Sequence, residues 1–108
     1  MVKVTVLYGH PKDDAAFEDY YAETHIPLAL KIPNVTRFEF TRFLPDPNGG
    51  APVYYRMAEL YFADTMLLSA ALASAEGQAA VDDLSRFATG GVTFLAGEAQ
   101  LMTAPIAK

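Results

Sequence analysis

The 108-residue sequence contains no cysteine, no tryptophan and only two histidines. Without cysteine there is no disulfide framework, no thiolate nucleophile and no thiolate metal ligand. The two histidines, His10 and His25, lie too far apart to form an i,i+4 metal pair, and no run of carboxylates has the spacing of a calcium loop. We therefore predict that the protein binds no metal ion.

Basic residues are also scarce. Eight Lys and Arg residues stand against thirteen Asp and Glu residues, which gives a net charge of -5. Nucleic-acid binding requires clustered basic side chains, so this class of partner is excluded. The longest apolar run, Met66 to Ala75, is about half of a membrane span, and the first residues lack the cleavage site of a signal peptide. We expect a soluble, cytoplasmic protein with no membrane contact.

The composition that remains is that of a packed domain. Hydrophobic residues make up 52% and charged residues 19% of the chain, a balance that argues against disorder. Residues 1–108 are expected to form one domain. A chain of this size buries roughly 60 to 70% of its unfolded surface, so self-association would usefully extend a modest core.

Alternating polar and apolar residues predict four strands. These are Val2–Tyr8, Val35–Leu44, Val53–Phe62 and Val92–Met102. A helix capped by Asp13 or Asp14 falls after the first strand, and helices capped by Asp64 and Ser74 follow the third. The order β-α-β-β-α-β predicts an α+β fold, a ferredoxin-like split βαβ sandwich with a four-stranded antiparallel sheet.

Helices on one side leave the second sheet face bare. Its expected residues are too apolar for plain solvent surface and too polar for a dry core. They are Lys3, Thr5, Leu7, Arg37, Glu39, Thr41, Phe43, Met57 and Glu59. We predict that two such faces pack together in a homodimer.

The segment "YYAETHIPLALKIP" carries the most informative pattern. A helical period of 3.6 places six residues on one inward face. They are Phe17, Tyr20, Tyr21, Thr24, His25 and Leu28. Pro27 has no amide hydrogen and its ring clashes with the carbonyl of residue 23, so the regular helix is expected to kink or end near His25.

The chain resembles the EthD family, named for a component of an ethyl tert-butyl ether degradation cluster. The resemblance rests on "KVTVLYGHP", on "FEDYYAETHIPLALKIPNV" with its H-x-P and K-x-P spacing, and on "EGQAAVDDLSRFATGGVTFLAGE". It implies a homodimer whose two sheets form an α+β barrel with the helices outside. Related barrels include cofactor-free monooxygenases, polyketide cyclases, lactone isomerases and haem enzymes, so the fold does not select an activity. These relatives most often use a cleft between the helices and the sheet.

His25 is the leading catalytic candidate, as a general base with Tyr21 beside it and Tyr20, Tyr21 or Tyr61 as hydrogen-bond partner. The helix end raises its pKa and burial lowers it. The alternative is a core histidine bonded to a free backbone carbonyl. Candidate ligand contacts are Tyr8, Tyr20, Leu28, Arg42 and Tyr61.

Each of these ligand contacts has a structural alternative. Arg42 equally suits a surface ion pair, and aromatic residues as a group more often fill cores. Strand register leaves open which of Tyr54 and Tyr55 faces the cleft.

Two functions follow from these residues. The first is a cofactor-free protein that binds a small hydrophobic, aromatic or oxygenated compound and transforms it with His25 as base. The second is a non-catalytic accessory protein that holds such a compound for a partner oxygenase. A haem protein with His25 as axial ligand is a third alternative.

Overall fold

The computed structural model describes residues 1–105. Its four strands are β1 (Val2–Tyr8), β2 (Arg37–Arg42), β3 (Arg56–Phe62) and β4 (Val92–Glu98). Its helices are α1 (Asp14–Tyr20), α2 (Ile26–Ala29), α3 (Thr65–Ala73) and α4 (Ala75–Asp83). A π-helical turn, Tyr21–His25, joins α1 to α2, and a 3-10 turn, Leu84–Arg86, follows α4.

The sheet has the order β2-β3-β1-β4 with all neighbours antiparallel. This is the ferredoxin-like arrangement, so the predicted fold class is confirmed. The strand bounds differ from the prediction at the ends that border loops. β2 ends at Arg42 and β3 begins at Arg56, so residues 43–55 belong to neither strand, and β4 ends at Glu98 instead of Met102. The run of proline, glycine and asparagine between β2 and β3 favours turns over a ladder.

Three predicted helix caps are present. Asp13 accepts a hydrogen bond from the amide of Ala16, and Asp64 accepts one from the amide of Leu67. Ser74 ends α3 and caps α4 by accepting from the amide of Gly77. Each cap satisfies an amide that the first helical turn leaves without a partner.

The helices cover the face of the sheet that carries the even-numbered residues. On β1 these are Val2, Val4, Val6 and Tyr8, all buried, and on β3 they are Ala58, Leu60 and Phe62. Paired strands present same-face side chains opposite one another, as Val4 does with Leu60. The core therefore lies between this face and the helices.

The prediction that the regular helix kinks or ends near His25 is corrected by the structure. The α-helical pattern ends earlier, at Tyr20, and the backbone continues through His25 as a π turn in which the amide of Ile26 donates to the carbonyl of Tyr21. Pro27 then lies in the first turn of α2, where a missing amide is tolerated. The prolines therefore accompany a widened turn that keeps His25 inside the helical segment.

Within residues 1–105, no helix packs on the other sheet face. It presents Lys3, Thr5 and Leu7 from β1 and the odd-numbered residues of the neighbouring strands, as predicted. Lys3 pairs with Glu59 at 2.5 Å, and the Tyr61 hydroxyl donates to Glu39 at 2.7 Å. We call this surface the helix-free face. Among residues 1–105, no helix is long and apolar enough to cross a membrane.

Candidate functional site

His25 lies at the end of the π turn with only 5% of its surface exposed. Its ring packs against Phe87, with centroids 4.6 Å apart, and lies nearly parallel to the ring of Tyr21 at 5.8 Å. The helical segment on one side and the 3-10 turn after α4 on the other hold the imidazole in place. Both ring nitrogens consequently face defined groups.

One nitrogen faces a buried carboxylate. The Nδ1 atom of His25 lies 3.1 Å from Oδ2 of Asp83, which is 2% exposed. A carboxylate accepts hydrogen bonds, so the neutral imidazole carries its proton on Nδ1 and leaves Nε2 as the acceptor. The Tyr20 hydroxyl donates to the other oxygen of Asp83 at 2.6 Å, and Arg86 approaches that oxygen from the surface at 3.6 Å. Asp83 therefore fixes the orientation of the imidazole.

Two opposed effects set the protonation state of His25. Burial lowers its pKa from 6.5, and the hydrogen bond and charge of Asp83 act in the raising direction. Burial prevails, so the pKa is below its ordinary value. The imidazole is accordingly neutral at neutral pH, the form in which Nε2 can accept a proton.

The second nitrogen faces a tyrosine at the end of β1. The Tyr8 hydroxyl lies 3.5 Å from Nε2, longer than an ordinary hydrogen bond. Burial raises the pKa of Tyr8 well above 10 and that of Tyr21 to about 12, so both remain protonated. The Tyr21 hydroxyl is buried without a hydrogen-bond partner among the described residues. Tyr8 is thus a proton-bearing donor beside an acceptor nitrogen.

A cavity of about 50 Å³ lies between the helices and the sheet in front of this pair. Apart from Tyr8 and His25, its lining is apolar. The lining includes Val6, Ala29, Ile32, Phe40, Ala58, Ala80 and Leu84. A small polar end within an apolar chamber is typical of sites that bind small molecules.

Of the seven residues predicted for the site, the structure brings Tyr8 and His25 together at the cavity. Tyr21 packs beneath them against both rings, and Tyr20 contacts Asp83 instead of the cavity. Leu28 is half-buried and does not line the cavity, since the inward positions after His25 are Ala29 and Ile32. The π turn causes this shift because it uses an extra residue before α2 begins.

Arg42 and Tyr61 lie away from His25. Arg42 is on the helix-covered side of β2, but its guanidinium is exposed and lies 3.6 Å from Glu18, as the surface alternative predicted. Tyr61 is on the helix-free face and bonds to Glu39, so it cannot be the hydrogen-bond partner of His25. Tyr54 and Tyr55 precede β3, and neither lines the cavity: Tyr55 is buried and donates to Glu18, and Tyr54 is half-buried.

Sequence reasoning missed Asp83. The residue falls three positions after Ala80 and four before Phe87, so helical spacing puts it on the same inward side as these two buried residues. A carboxylate on an apolar helical stripe is rarely buried without a partner. The inward position of Asp83 could have indicated a buried polar partner, and His25 was the histidine expected to face inward.

The site does not match the haem alternative. The cavity beside His25 is far smaller than a haem macrocycle. Among residues 1–105, no group of three or more His, Asp or Glu side chains is arranged to hold a metal ion.

Comparison with known proteins places the chain in a family. Residues 10–91 match the EthD domain. The chain belongs to the EthD family. A curated relative, an uncharacterised 11.0 kDa protein in the thcB-thcC intergenic region of Rhodococcus erythropolis, is 43% identical over 95 residues, which cover 88% of this chain and 91% of that protein.

Solved structures agree with the EthD assignment. An EthD family protein from Bacillus halodurans is 37% identical and superposes with a TM-score of 0.87, covering 93% of this chain and 99% of the other. SnoaB, a cofactor-independent oxygenase from Streptomyces nogalater, is 18% identical with a TM-score of 0.63, over 94% and 93% of the two chains. The second likeness shows the fold alone. The EthD match includes His25 and Asp83, while Tyr8 lies just before it.

Proposed function

We propose that this EthD family protein binds a small hydrophobic or aromatic oxygenated compound between its helices and sheet, and that His25 acts on it as a general base. The reaction would be a cofactor-free acid-base step of the monooxygenase, cyclase or isomerase type. One observation carries the proposal. A neutral, buried imidazole is fixed by Asp83 on one side and faces a cavity with its acceptor nitrogen on the other.

The geometry suits proton abstraction. Nε2 of His25 would take a proton from a hydroxyl or from a carbon next to a carbonyl, and the resulting imidazolium would be stabilised by Asp83. The Tyr8 hydroxyl would donate a hydrogen bond to the oxygen on which negative charge develops. The 3.5 Å separation of the Tyr8 hydroxyl and Nε2 supports these separate roles of donor and base. Catalytic hydrogen bonds are often long in the absence of a ligand and shorten when the ligand binds.

A simple carbon acid tests the base. We expect the protein to accelerate exchange of the α-protons of cyclohexanone in deuterated buffer, measured by proton NMR, because the ketone is small, neutral and enolisable. The His25→Gln variant should lose the acceleration, whereas His10→Gln should keep it. Equal exchange rates with the wild type and with His25→Gln would contradict the catalytic role.

The second candidate is the non-catalytic accessory protein. It is favoured by the tight aromatic packing around His25, which would also suit an imidazole that only orients a ligand. Binding of cyclohexanone with no acceleration of exchange between pH 5 and 9 would support this candidate against the first.

We also propose that the protein forms a homodimer through its helix-free faces. In the single chain, Leu7 and Met57 on this face are only half-buried. Beside them lie the Lys3–Glu59 ion pair and the hydrogen bond from Tyr61 to Glu39. The Thr5→Arg variant places a bulky cation at the centre of β1 on this face and should yield monomers, with Thr5→Ser as the matched control. Light scattering at micromolar concentration tests this, and a monomeric wild type would contradict it.

A further inference from the structure

A second space borders the cavity beside His25. A surface groove of about 420 Å³ lies between α4 and β4, and it shares Val4, Leu72, Val81 and Phe94 with the lining of the cavity. The cavity itself is only about 50 Å³. A compound larger than a few atoms that reaches His25 would have to extend past these shared side chains, and the groove is the space on their other side.

The inner end of this path is polar and its outer part is apolar. Tyr8 and His25 are the polar side chains of the cavity lining, with an acceptor at Nε2 and a donor at the Tyr8 hydroxyl. In the groove, Phe94 is 47% exposed and Val81 is 39% exposed. The amide of Gln78 is turned back to the carbonyl of Leu72 at 2.8 Å. The path therefore matches a ligand with one polar end.

The charges around the two spaces indicate whether the ligand is charged. Among residues 1–105, neither the cavity nor the groove is lined by a lysine or an arginine. The buried carboxylate of Asp83 lies directly behind the imidazole. An anion placed against Nε2 would be desolvated without a counter-charge, which is costly. The polar end of the ligand should be neutral.

We propose that the ligand is an uncharged compound with a hydroxyl head and an apolar tail, the head bound between Tyr8 and His25 and the tail in the groove beside Phe94. This inference rests on the proposed function and adds the ligand class. The head would replace the loose contact between the Tyr8 hydroxyl and Nε2 with two hydrogen bonds. The tail would cover apolar surface that the folded chain leaves exposed.

A series of 4-alkylphenols tests the tail. Calorimetric titration with phenol, 4-ethylphenol, 4-propylphenol and 4-pentylphenol should show affinity rising by about threefold to fourfold for each added methylene. The Phe94→Ser variant should reduce that gain while changing the affinity for phenol itself by less than twofold. Met66→Ser is the matched control, since Met66 is exposed and lies outside both spaces. It should keep the full gain.

Further probes test the head and its charge. Tyr8→Phe should weaken all the phenols by a similar factor and leave the dependence on chain length intact. At pH 7.5, 4-pentylbenzoate should bind at least tenfold more weakly than 4-pentylphenol. Equal or tighter binding of the carboxylate would overturn the neutral head.

The outcomes separate this inference from the proposed function. If phenol binds and Tyr8→Phe weakens it, but chain length and Phe94→Ser have no effect, the inference fails and the binding site stands. If Phe94→Ser instead converts dimers to monomers, a second copy covers the groove and the inference fails as well. If no phenol binds to the wild type, both the inference and the proposed ligand site fail.

Discussion

The two faces of the sheet are built from alternate residues of the same strands, yet they treat polar groups in opposite ways. Between the helix-covered face and its helices, the side chains of Tyr20, Asp83 and His25 form a fixed chain of hydrogen bonds, while the exposed Arg42 lies apart from them. On the helix-free face, charged and hydroxyl groups are numerous and paired with one another. This difference is the reason we propose chemistry at the first face and association through the second.

Burial explains the difference. A buried imidazole has a lowered pKa and a defined proton position, whereas Lys3 and Glu59 satisfy each other at a surface that water partly reaches. Buried polar groups are costly unless paired, so each such group on the covered face must have a fixed partner. The exception is the Tyr21 hydroxyl, which has none among the described residues.

The largest difference between the faces should appear on truncation of a core residue. Phe62 is fully buried on the covered face, and Phe62→Ala should lower the free energy of unfolding by about 3–5 kcal/mol because it leaves a void. Leu95, on the helix-free side of β4 and 53% exposed, should lose far less when changed to alanine. Urea unfolding measures both.

Protein concentration sharpens this test. If a second copy covers the helix-free face, the loss caused by Leu95→Ala should depend on protein concentration, while that of Phe62→Ala should not. Equal losses from both variants at every concentration would remove the distinction between the faces.

Adjacent carboxylates on α4 provide the next test. Asp83 accepts hydrogen bonds from the Tyr20 hydroxyl and from Nδ1 of His25. Asp83→Asn keeps the size of the side chain, but its amide group has only one acceptor oxygen, so one of these two donors loses its acceptor. The free energy of unfolding should fall by about 1–3 kcal/mol. The substitution should also lower the pKa of His25 further, since Asp83 acts to raise it. Asp82 is exposed one position earlier, so Asp82→Asn is the matched control and should change neither quantity.

NMR titration of the two imidazoles reads out this pKa directly. An unchanged or higher pKa of His25 in Asp83→Asn would show that the carboxylate does not act on the ring as the structure indicates.

Acid should act through the covered face. The pKa of His25 is lower in the folded chain than the ordinary 6.5, so the unfolded chain binds more protons as the pH falls below that value. The contribution to stability is complete above pH 6.5 and declines below it, by at most about 1.4 kcal/mol per pH unit for one group. Below pH 6.5, His25→Gln should reduce the slope of stability against pH. His10→Gln retains the buried imidazole of His25, so its slope should equal that of the wild type. A slope unaffected by His25→Gln would contradict the assignment.

The smallest change in stability is expected from a substitution on the helix-free face. Glu39→Gln removes one charge from the pair with Tyr61 but keeps an acceptor for its hydroxyl. The midpoint of urea unfolding should not change measurably for the monomeric Thr5→Arg background, because exposed ion pairs contribute little. A large shift of the midpoint would mean that this network is more important to the single chain than its exposure indicates.

Much of the fold could be predicted because its local patterns agree with its final packing. The alternation in Val2–Tyr8 and the caps at Asp13, Asp64 and Ser74 each specify an element without help from distant residues. The strand ends were less predictable because the residues around Pro45 and Gly50 weaken pairing gradually.

The site was predictable only in part, because it depends on geometry that a regular period does not describe. The inward position of His25 followed from helical spacing, but the π turn moved Leu28 out and brought Ala29 in. Asp83 is 58 residues from His25 in sequence, and only the packing of α4 against the first helical segment joins them. Tyr61 was misplaced although the period of two puts it on the same strand face as Met57 and Glu59, which were expected on the helix-free side.

The most direct test of the account follows the His25 imidazole during titration with 4-pentylphenol. The chain has two histidines, so the ring signals of His25 and His10 can be assigned with single variants. We predict that the His25 signal moves to saturation while that of His10 stays in place, because only His25 lines the cavity. Saturable binding that leaves the His25 signal unmoved would contradict the central claim that the ligand lies against this ring.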